Sequence, residues 1–421
     1  MFFIKLIVKT PYILTIFFIE KITLLIFFAA TLPLALNRRA NIKSVLWGVD
    51  PIINNIYWAR ANKKNFSASD SVVKSSANSF IAKSSDYDYQ VEYFYLRLPK
   101  TTNKEILRIY AILNSIFIFY KYDLFFLSFN GGPLNEILGR FELAWLKFCR
   151  KRIIVFPFGF DSYVYSELGD KTLQHALLSS QGSYASENYK IQERKKYFFK
   201  YIDVYISSFQ DNFVPRWDFV RPTFLCVDVN KFSPSNRVEK TKIVVAHAPN
   251  HRGFKGTSFI QNAVDELISE GLNIEFLLLE GVKNDEIAKI YSNKVDILVD
   301  QLIFQGYALN AIEAMSSGIA VVSNLEDCDT IRFFKRYSFL NECPIYSANI
   351  ENIKQKLKEL IINHDLREKL AKKGREYVSR YHSYNAIAAD FKFITENIDD
   401  RNKLLNYNFT FKNQNEKDRS R

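Results

Sequence analysis

Cysteine, glycine and proline are all scarce in this chain. Its four cysteines, Cys149, Cys226, Cys328 and Cys343, stand far apart and form no CxxC pair. That excludes a zinc ribbon and a disulfide-dense secreted scaffold, and suits a reducing, cytoplasmic setting. With 14 Gly and 11 Pro in 421 residues, collagen-like, Gly/Ser-linker and Pro-rich repeat architectures are excluded, and no internal repeat of solenoid length is visible. Helix-turn-helix, RNP-like and paired Cys/His finger patterns are missing too, so no nucleic-acid partner is expected in spite of a basic balance. A long uninterrupted apolar run is also lacking. Lys5, Lys9, Glu20 and Lys21 break the first 37 residues, and the longest uncharged run, Ile22–Asn37, has 16 residues, short of the ~20 that a spanning helix needs.

What is present is an aromatic-rich chain (37 Phe, 24 Tyr) with 57 Lys+Arg against 45 Asp+Glu, a formal charge of +12. Residues 1–40 are dense in Phe, Ile and Leu and end in Arg38 and Arg39. They read as an apolar, membrane-associating extension held peripherally at an anionic inner leaflet rather than as a true span, because Glu20 and Lys21 would otherwise sit near the bilayer centre. On this reading the donor site in residues 240–325 does not depend on the extension for its geometry; the alternative is a buried helical hairpin.

Past residue 40, short apolar runs alternate with amphipathic stretches, which predicts an α/β protein with parallel sheets. The alternation occurs twice. Predicted strands in the first half are Ser44–Gly48, Gln90–Leu96, Asp123–Ser128, Arg152–Pro157 and Asp203–Ser207, with 62–87 as a loop. In the second half they are Lys242–Ala246, Ile274–Leu279, Val295–Val299 and Ile319–Ser323, with helices at Thr257–Glu270, Asp285–Ser292 and Leu309–Ser317 and three late ones from Ile350 onward. Residues 222–240, aperiodic and carrying prolines, read as a linker. The expected organisation is an N-terminal Rossmann-like domain over 41–221, a C-terminal one over 241–383, a terminal helix over 384–398 and a polar tail over 399–421. Ligands are then expected in a cleft, at the carboxyl ends of the strands.

Two segments carry chemistry. After the Lys242–Ala246 strand, His247-Ala-Pro-Asn-His251-Arg252-Gly253-Phe-Lys255-Gly256-Thr257 combines two glycines and two cations before a helix, an arrangement suited to a diphosphate; it is not a Walker loop. After the strand ending at Val299, Gln305-Gly306-Tyr307-Ala308 leads into a helix in which Glu313 is a lone charge among small and apolar residues. A carboxylate there can accept hydrogen bonds from two neighbouring hydroxyls such as a ribose presents.

These segments, HAPNHRGFKGT and FQGYALNAIEAMSSGIAVV, resemble the group 1 glycosyltransferases of the GT-B superfamily, strongly over about 240–385 and more weakly over 41–239. The resemblance implies two Rossmann-like domains facing a cleft and a retaining, metal-independent transfer from a nucleotide-diphosphate sugar. It gives Arg252 and Lys255 the donor diphosphate and Glu313, the second glutamate of an E-x7-E motif, the donor ribose. The first glutamate maps to Gln305, a departure that bears on sugar selection. Gly253, Gly306, Tyr307 and Ala308 fall in the donor-binding loops, Gly48 in the glycine-containing loop after the first strand, and Asp161 where related enzymes place polar groups facing the sugar; a turn-capping role for Asp161 is the alternative. His175 is a weaker candidate. No cofactor is implied beyond the donor, and no metal: Asp86/Asp88 and Asp327/Asp329 are DxD pairs out of place for one. The expected acceptor is a glycan or lipid-linked precursor for cell-surface polysaccharide. The competing readings are a non-catalytic nucleotide-sugar-binding scaffold, motivated by Gln305, and a sugar-nucleotide epimerase, whose acid/base residues are not evident.

Overall fold

The computed structural model describes residues 2–36, 41–50, 52–71, 103–159, 161–180, 182–211, 214–235 and 241–407. The chain divides into two compact units, Met1–Phe156 with Lys196–Val204, and Pro157–Lys195 with Tyr205–Arg421.

The first unit is built on β1 (Ser44–Trp47), β2 (Ala68–Ser71), β3 (Leu124–Leu127), β4 (Arg152–Val155) and β5 (Val204–Tyr205), in the order β2-β1-β3-β4-β5. The β1–β2, β1–β3 and β3–β4 pairings are parallel. Every residue of β1 and β3 is buried, the continuous apolar pattern of strands covered on both faces. The strand β2 lies inside the stretch read as a loop; its sequence, ASDS, carries no apolar signal, and it forms because its backbone completes the edge beside β1. The strand expected over Gln90–Leu96 falls outside the described residues.

The N-terminal extension is one long helix, Phe2–Thr31, continued by a 3-10 turn, Leu32–Leu36, and not a hairpin. It is packed into this unit. Phe27 is fully buried and meets the ring of Phe119 at 5.1 Å, Phe28 meets Trp145 at 4.7 Å, and the Trp145 indole donates to Thr31 Oγ1 at 2.9 Å. Removing this segment would uncover Phe119, Trp145 and Cys149 of the first unit.

The second unit repeats the plan with β6 (Ile243–His247), β7 (Ile274–Leu278), β8 (Ile297–Val299), β9 (Ala320–Ser323) and β10 (Tyr346–Ser347), in the order β10-β9-β8-β6-β7. Numbered within the unit this is the same 2-1-3-4-5 arrangement as in the first. In each sheet the connections wind one way from the first strand and then the other, so a topological switch point falls between the first and third strands, here β6 and β8. Ile260, Ala263, Val264 and Leu267 of the helix Thr257–Ser269 lie against Val245, Ile297 and Val299; burying each larger aliphatic side chain contributes about 1.5–3 kcal/mol. The first part of the aperiodic stretch, 222–227, is buried, with the Val227 N–H donating to the His382 carbonyl at 2.9 Å. Arg221, just before it, forms a buried ion pair with Asp390 of the helix Tyr384–Glu396. The helix Asp329–Tyr337 is missing from the sequence reading.

Candidate functional site

The switch point of the second unit brings together the two segments singled out above. His247 ends β6 with its ring fully buried, Nδ1 at 2.8 Å from the Val299 carbonyl and Nε2 at 2.9 Å from Thr257 Oγ1. Burial, with Lys255 nearby, lowers its pKa to about 4, so the neutral ring donates to Val299 and accepts from Thr257. The histidine thereby ties the end of β6 to the end of β8 and to the start of the next helix.

Lys255 is buried as well. Its Nζ lies 2.8 Å from Asp300 Oδ1 and 2.6 Å from Gln301 Oε1, and the other carboxylate oxygen of Asp300 accepts the Ala308 N–H at 2.8 Å. Lys255, expected at the donor diphosphate, is turned toward the end of β8, and through Asp300 it fixes the peptide that opens the Glu313 helix. Arg252 is exposed and forks onto Glu280 at the end of β7, Nε to Oε1 at 2.8 Å. This hydrogen bonding raises the guanidinium pKa and lowers that of Glu280. An exposed pair of this kind is worth little against solvent and salt, so Arg252 can be exchanged onto an incoming anion. Gly253 is required by close approach, because a Cβ there would lie 2.8 Å from Ser180 Oγ. Gly256 closes the turn at φ +80°.

The segment Gln305–Ala308 crosses the ends of β8 and β9. Gly306 sits at φ +113°, and a Cβ would come within 2.6 Å of the Phe209 ring. Its amide donates to Asn324 O at 2.7 Å and its carbonyl accepts from Ser323 Oγ at 2.6 Å. The Gln305 side-chain oxygen accepts from Cys328 Sγ at 2.9 Å. The Tyr307 hydroxyl is buried between the Tyr377 hydroxyl (2.8 Å) and His382 Nε2 (2.9 Å), which makes Tyr307 an anchor for the loop. Glu313 follows on the helix Leu309–Ser316. It is 5% exposed, and Oε1 accepts from Asn284 Nδ2 at 3.0 Å while the Asn284 carbonyl oxygen accepts from Lys231 Nζ at 2.6 Å. A carboxylate is an acceptor only, with about four lone-pair sites, which suits the two hydroxyls of a diol.

The remaining candidates lie on neighbouring segments. Asp161 closes a turn, accepting the Phe158 N–H at 3.0 Å, which is the capping role weighed above. His175 is exposed on the helix Lys171–Ser180. Asp327 and Asp329 both pair with Arg332, Asp86 and Asp88 lie outside the described residues, and no described group of three or more His, Cys, Asp or Glu is placed to hold a metal ion. In the first unit Gly48, at φ +51°, lets the chain turn tightly over Asn55 after β1. Beside it Asp50 accepts from Ser128 Oγ at 2.7 Å and Asn130 Nδ2 at 3.3 Å, in the loop that follows β3.

Sequence reasoning passed over Asp300, Gln301, Asn284, Glu280 and the Asn130-Gly131-Gly132 loop. A signal existed for some of them. Asp300-Gln301 is a polar pair directly after an apolar strand, and Gly131-Gly132 is a glycine pair at the carboxyl end of another, both positions where α/β sheets carry their ligands. Asn284 and Glu280 had none, because only tertiary packing brings them to Glu313 and Arg252.

Comparison with solved structures finds the same architecture in Anabaena HepE, solved in complex with UDP-glucose, which is 12% identical over 82% of this chain and 97% of that one at a TM-score of 0.50. WaaG, a glycosyltransferase involved in lipopolysaccharide biosynthesis, matches 84% of this chain and 99% of its own at 12% identity and a TM-score of 0.41. A Listeria monocytogenes protein described as a UDP-N-acetylglucosamine 2-epimerase matches 86% and 97% at 12% identity and a TM-score of 0.45. No protein-family model matches the chain, and neither does any curated protein sequence. At such identities the likeness concerns the fold, and HepE carries it: two Rossmann-like units of the GT-B type, with an apolar N-terminal helix in addition.

Proposed function

We propose that this GT-B protein is a retaining glycosyltransferase that moves a sugar from a nucleotide-diphosphate donor to a glycan or lipid-linked acceptor of the cell surface, working at the inner face of the membrane. The observation that carries the reading is Glu313. Its carboxylate is buried on a helix that starts at the switch point, and the Asn284 side-chain amide donates to it. Burying a carboxylate on a helix of otherwise small and apolar residues is costly, and binding a ribose diol, which presents two hydroxyl donors, gives that burial a purpose.

In this reading Arg252 leaves Glu280 for the diphosphate and neutralises the charge that grows on it as the glycosidic C–O bond breaks. Lys255 acts by holding Asp300, and so the Ala308 amide and the start of the Glu313 helix, in place. Gln305 faces the transferred sugar as a neutral amide. The acceptor hydroxyl attacks the anomeric carbon on the face the diphosphate leaves, and its proton passes to the departing phosphate. Because Arg252 supplies the positive charge, the step does not call for a divalent ion. Most of the acceleration then comes from positioning and phosphate electrostatics. HepE, whose structure holds UDP-glucose, supports the donor class.

The engagement of Gln305 by Cys328 favours one second reading, a protein that binds nucleotide sugar without turning it over. Release of free nucleotide from UDP-, GDP- and TDP-sugars in the presence of a lipid-linked acceptor fraction separates the two. Release that depends on acceptor supports transfer, and saturable binding with no release supports the scaffold.

A further inference from the structure

Over residues 17–31 the N-terminal helix has its polarity inside out. Among the described side chains its buried positions are Glu20, Thr23, Phe27 and Thr31, followed by Leu34 of the 3-10 turn, three of these five being polar. The opposite face is apolar: Phe18 is 63% exposed, Ile22 56%, Leu25 68% and Ile26 51%, and Leu36 at the end is 87% exposed. In a helix packed on a water-soluble domain the apolar stripe turns inward. Here the polar groups do, and each is satisfied there. Glu20 meets Arg108 Nη2 at 3.2 Å, the Thr23 hydroxyl donates to Ile19 O at 2.7 Å, and Thr31 Oγ1 accepts from Trp145. The apolar surface continues onto the helices that carry this one, through exposed Phe117 and Tyr120 of Lys104–Lys121 and Phe141 and Phe148 of Phe141–Phe148; Phe148 stacks on Trp145 at 4.9 Å.

We propose that this face is the surface by which the protein lies in an anionic lipid bilayer, with the helix in the membrane plane and the supporting domain beside it. Charge complementarity selects lipid over a second copy of the chain. The three helices carry three acids between them: Glu20 and Glu142 are buried, and Glu105 pairs with Arg108. Exposed cations frame the stripe. Lys21 lies beside Phe17, and Arg150 donates to the Ala35 carbonyl at the far end. A like-charged copy of this surface would be repelled, whereas phosphate headgroups would be drawn to it. A span is disfavoured by packing. The segment is long and apolar enough to cross, Phe17–Leu36 having a mean hydropathy of 1.8, but over that length its inner face is occupied by Arg108, Phe119, Trp145 and Cys149, which a vertical insertion would draw into hydrocarbon. The proposal concerns lipid alone and stands apart from the reaction assigned above.

The test uses the full-length chain with vesicles of phosphatidylcholine, alone or with about one third phosphatidylglycerol. The expected result is co-sedimentation with the anionic vesicles, weakened by high salt, weaker by roughly fivefold per engaged cation on the neutral ones, and released by alkaline carbonate. Ile22→Asp with Leu25→Asp should lower partitioning at least about tenfold and leave the melting temperature in place, because both side chains are exposed. Ile22→Asn with Leu25→Asn gives the same comparison without added charge should the aspartates perturb folding. Equal sedimentation with neutral and anionic vesicles, or sedimentation unaffected by both variants, overturns the proposal. So does resistance to carbonate, which would assign a span, or a dimer that the variants split without altering vesicle binding, which would assign the face to a second copy.

Discussion

Replacing Lys255 by methionine separates a phosphate-binding lysine from one that holds the site together. The Lys255 ammonium lies 2.8 Å from Asp300 Oδ1 and 2.6 Å from Gln301 Oε1, with Lys255 5% and Asp300 1% exposed. Methionine fills the same space but strands the carboxylate, whose remaining partner is the Ala308 N–H at 2.8 Å. Breaking a buried pair by removing one partner costs about 3–5 kcal/mol. At roughly 2–4 °C per kcal/mol for a domain of this size, the melting temperature should fall by about 6–20 °C. Combining Lys255→Met with Asp300→Asn removes the stranded charge while keeping an oxygen for Ala308, and should recover more than half of the loss. The assay is urea and thermal unfolding of the four proteins of the double-mutant cycle. If Lys255→Met costs under about 1 kcal/mol and the double variant is no better than the single, the structural assignment is refuted and Lys255 returns to the diphosphate as a free cation.

Arg252→Ala should lower transfer rate strongly without moving the melting temperature, because the side chain is exposed, and the wild-type activity should survive EDTA; a strict metal requirement in the transfer assay would contradict this. Gly306→Ala, which puts a methyl into the Phe209 ring at φ +113°, should destabilise by more than about 1 kcal/mol, measurable by urea unfolding. Acid should unfold the second unit through its buried histidines. Burial depresses His247 to about 4 and His382 to about 3, below the ordinary histidine value, so the unfolded chain takes up these protons first. The stability they contribute is complete above about pH 6.5 and is lost as pH falls toward 4 and then 3, on the order of several kcal/mol together. Asp211, raised to about 7 by burial, works the opposite way over part of that range. Replacing His382 by glutamine should therefore flatten the acid limb of a melting-temperature profile, and an unchanged limb would contradict the assignment.

Much of the framework was legible in the sequence because the strands that matter are buried on both faces. Continuous apolar runs such as SVLW, LFFL and IVVAH announce themselves, as do amphipathic helices with a single buried stripe. The edge strands β2 and β10 did not, since ASDS and the pair Tyr346-Ser347 owe their conformation to a neighbour's backbone and not to their own side chains. In the site, residue type predicted which loops gather at the switch point, yet not which way each side chain turns. Lys255 and Arg252 sit three residues apart on one turn, and only the presence of Asp300 below and Glu280 outside sends one inward and the other to the surface. The surroundings of Glu20 were hidden for the same reason. It read as a charge that argues against a span, and its pairing with Arg108, distant in sequence, which takes it into the domain and leaves the outer face apolar, had no local signal.

The central claim is that Glu313 holds the ribose of a nucleotide sugar at this switch point, and calorimetric titration of UDP-, GDP- and TDP-sugars into the wild-type protein and Glu313→Ala tests it most directly. Loss of a charge-assisted hydrogen bond is worth about 1.5–3 kcal/mol. The account therefore predicts saturable binding of at least one nucleotide sugar, weakened about tenfold to a hundredfold or more in a variant that melts at or near the wild-type temperature. Binding by none of them, or equal affinity in the folded variant, would contradict it.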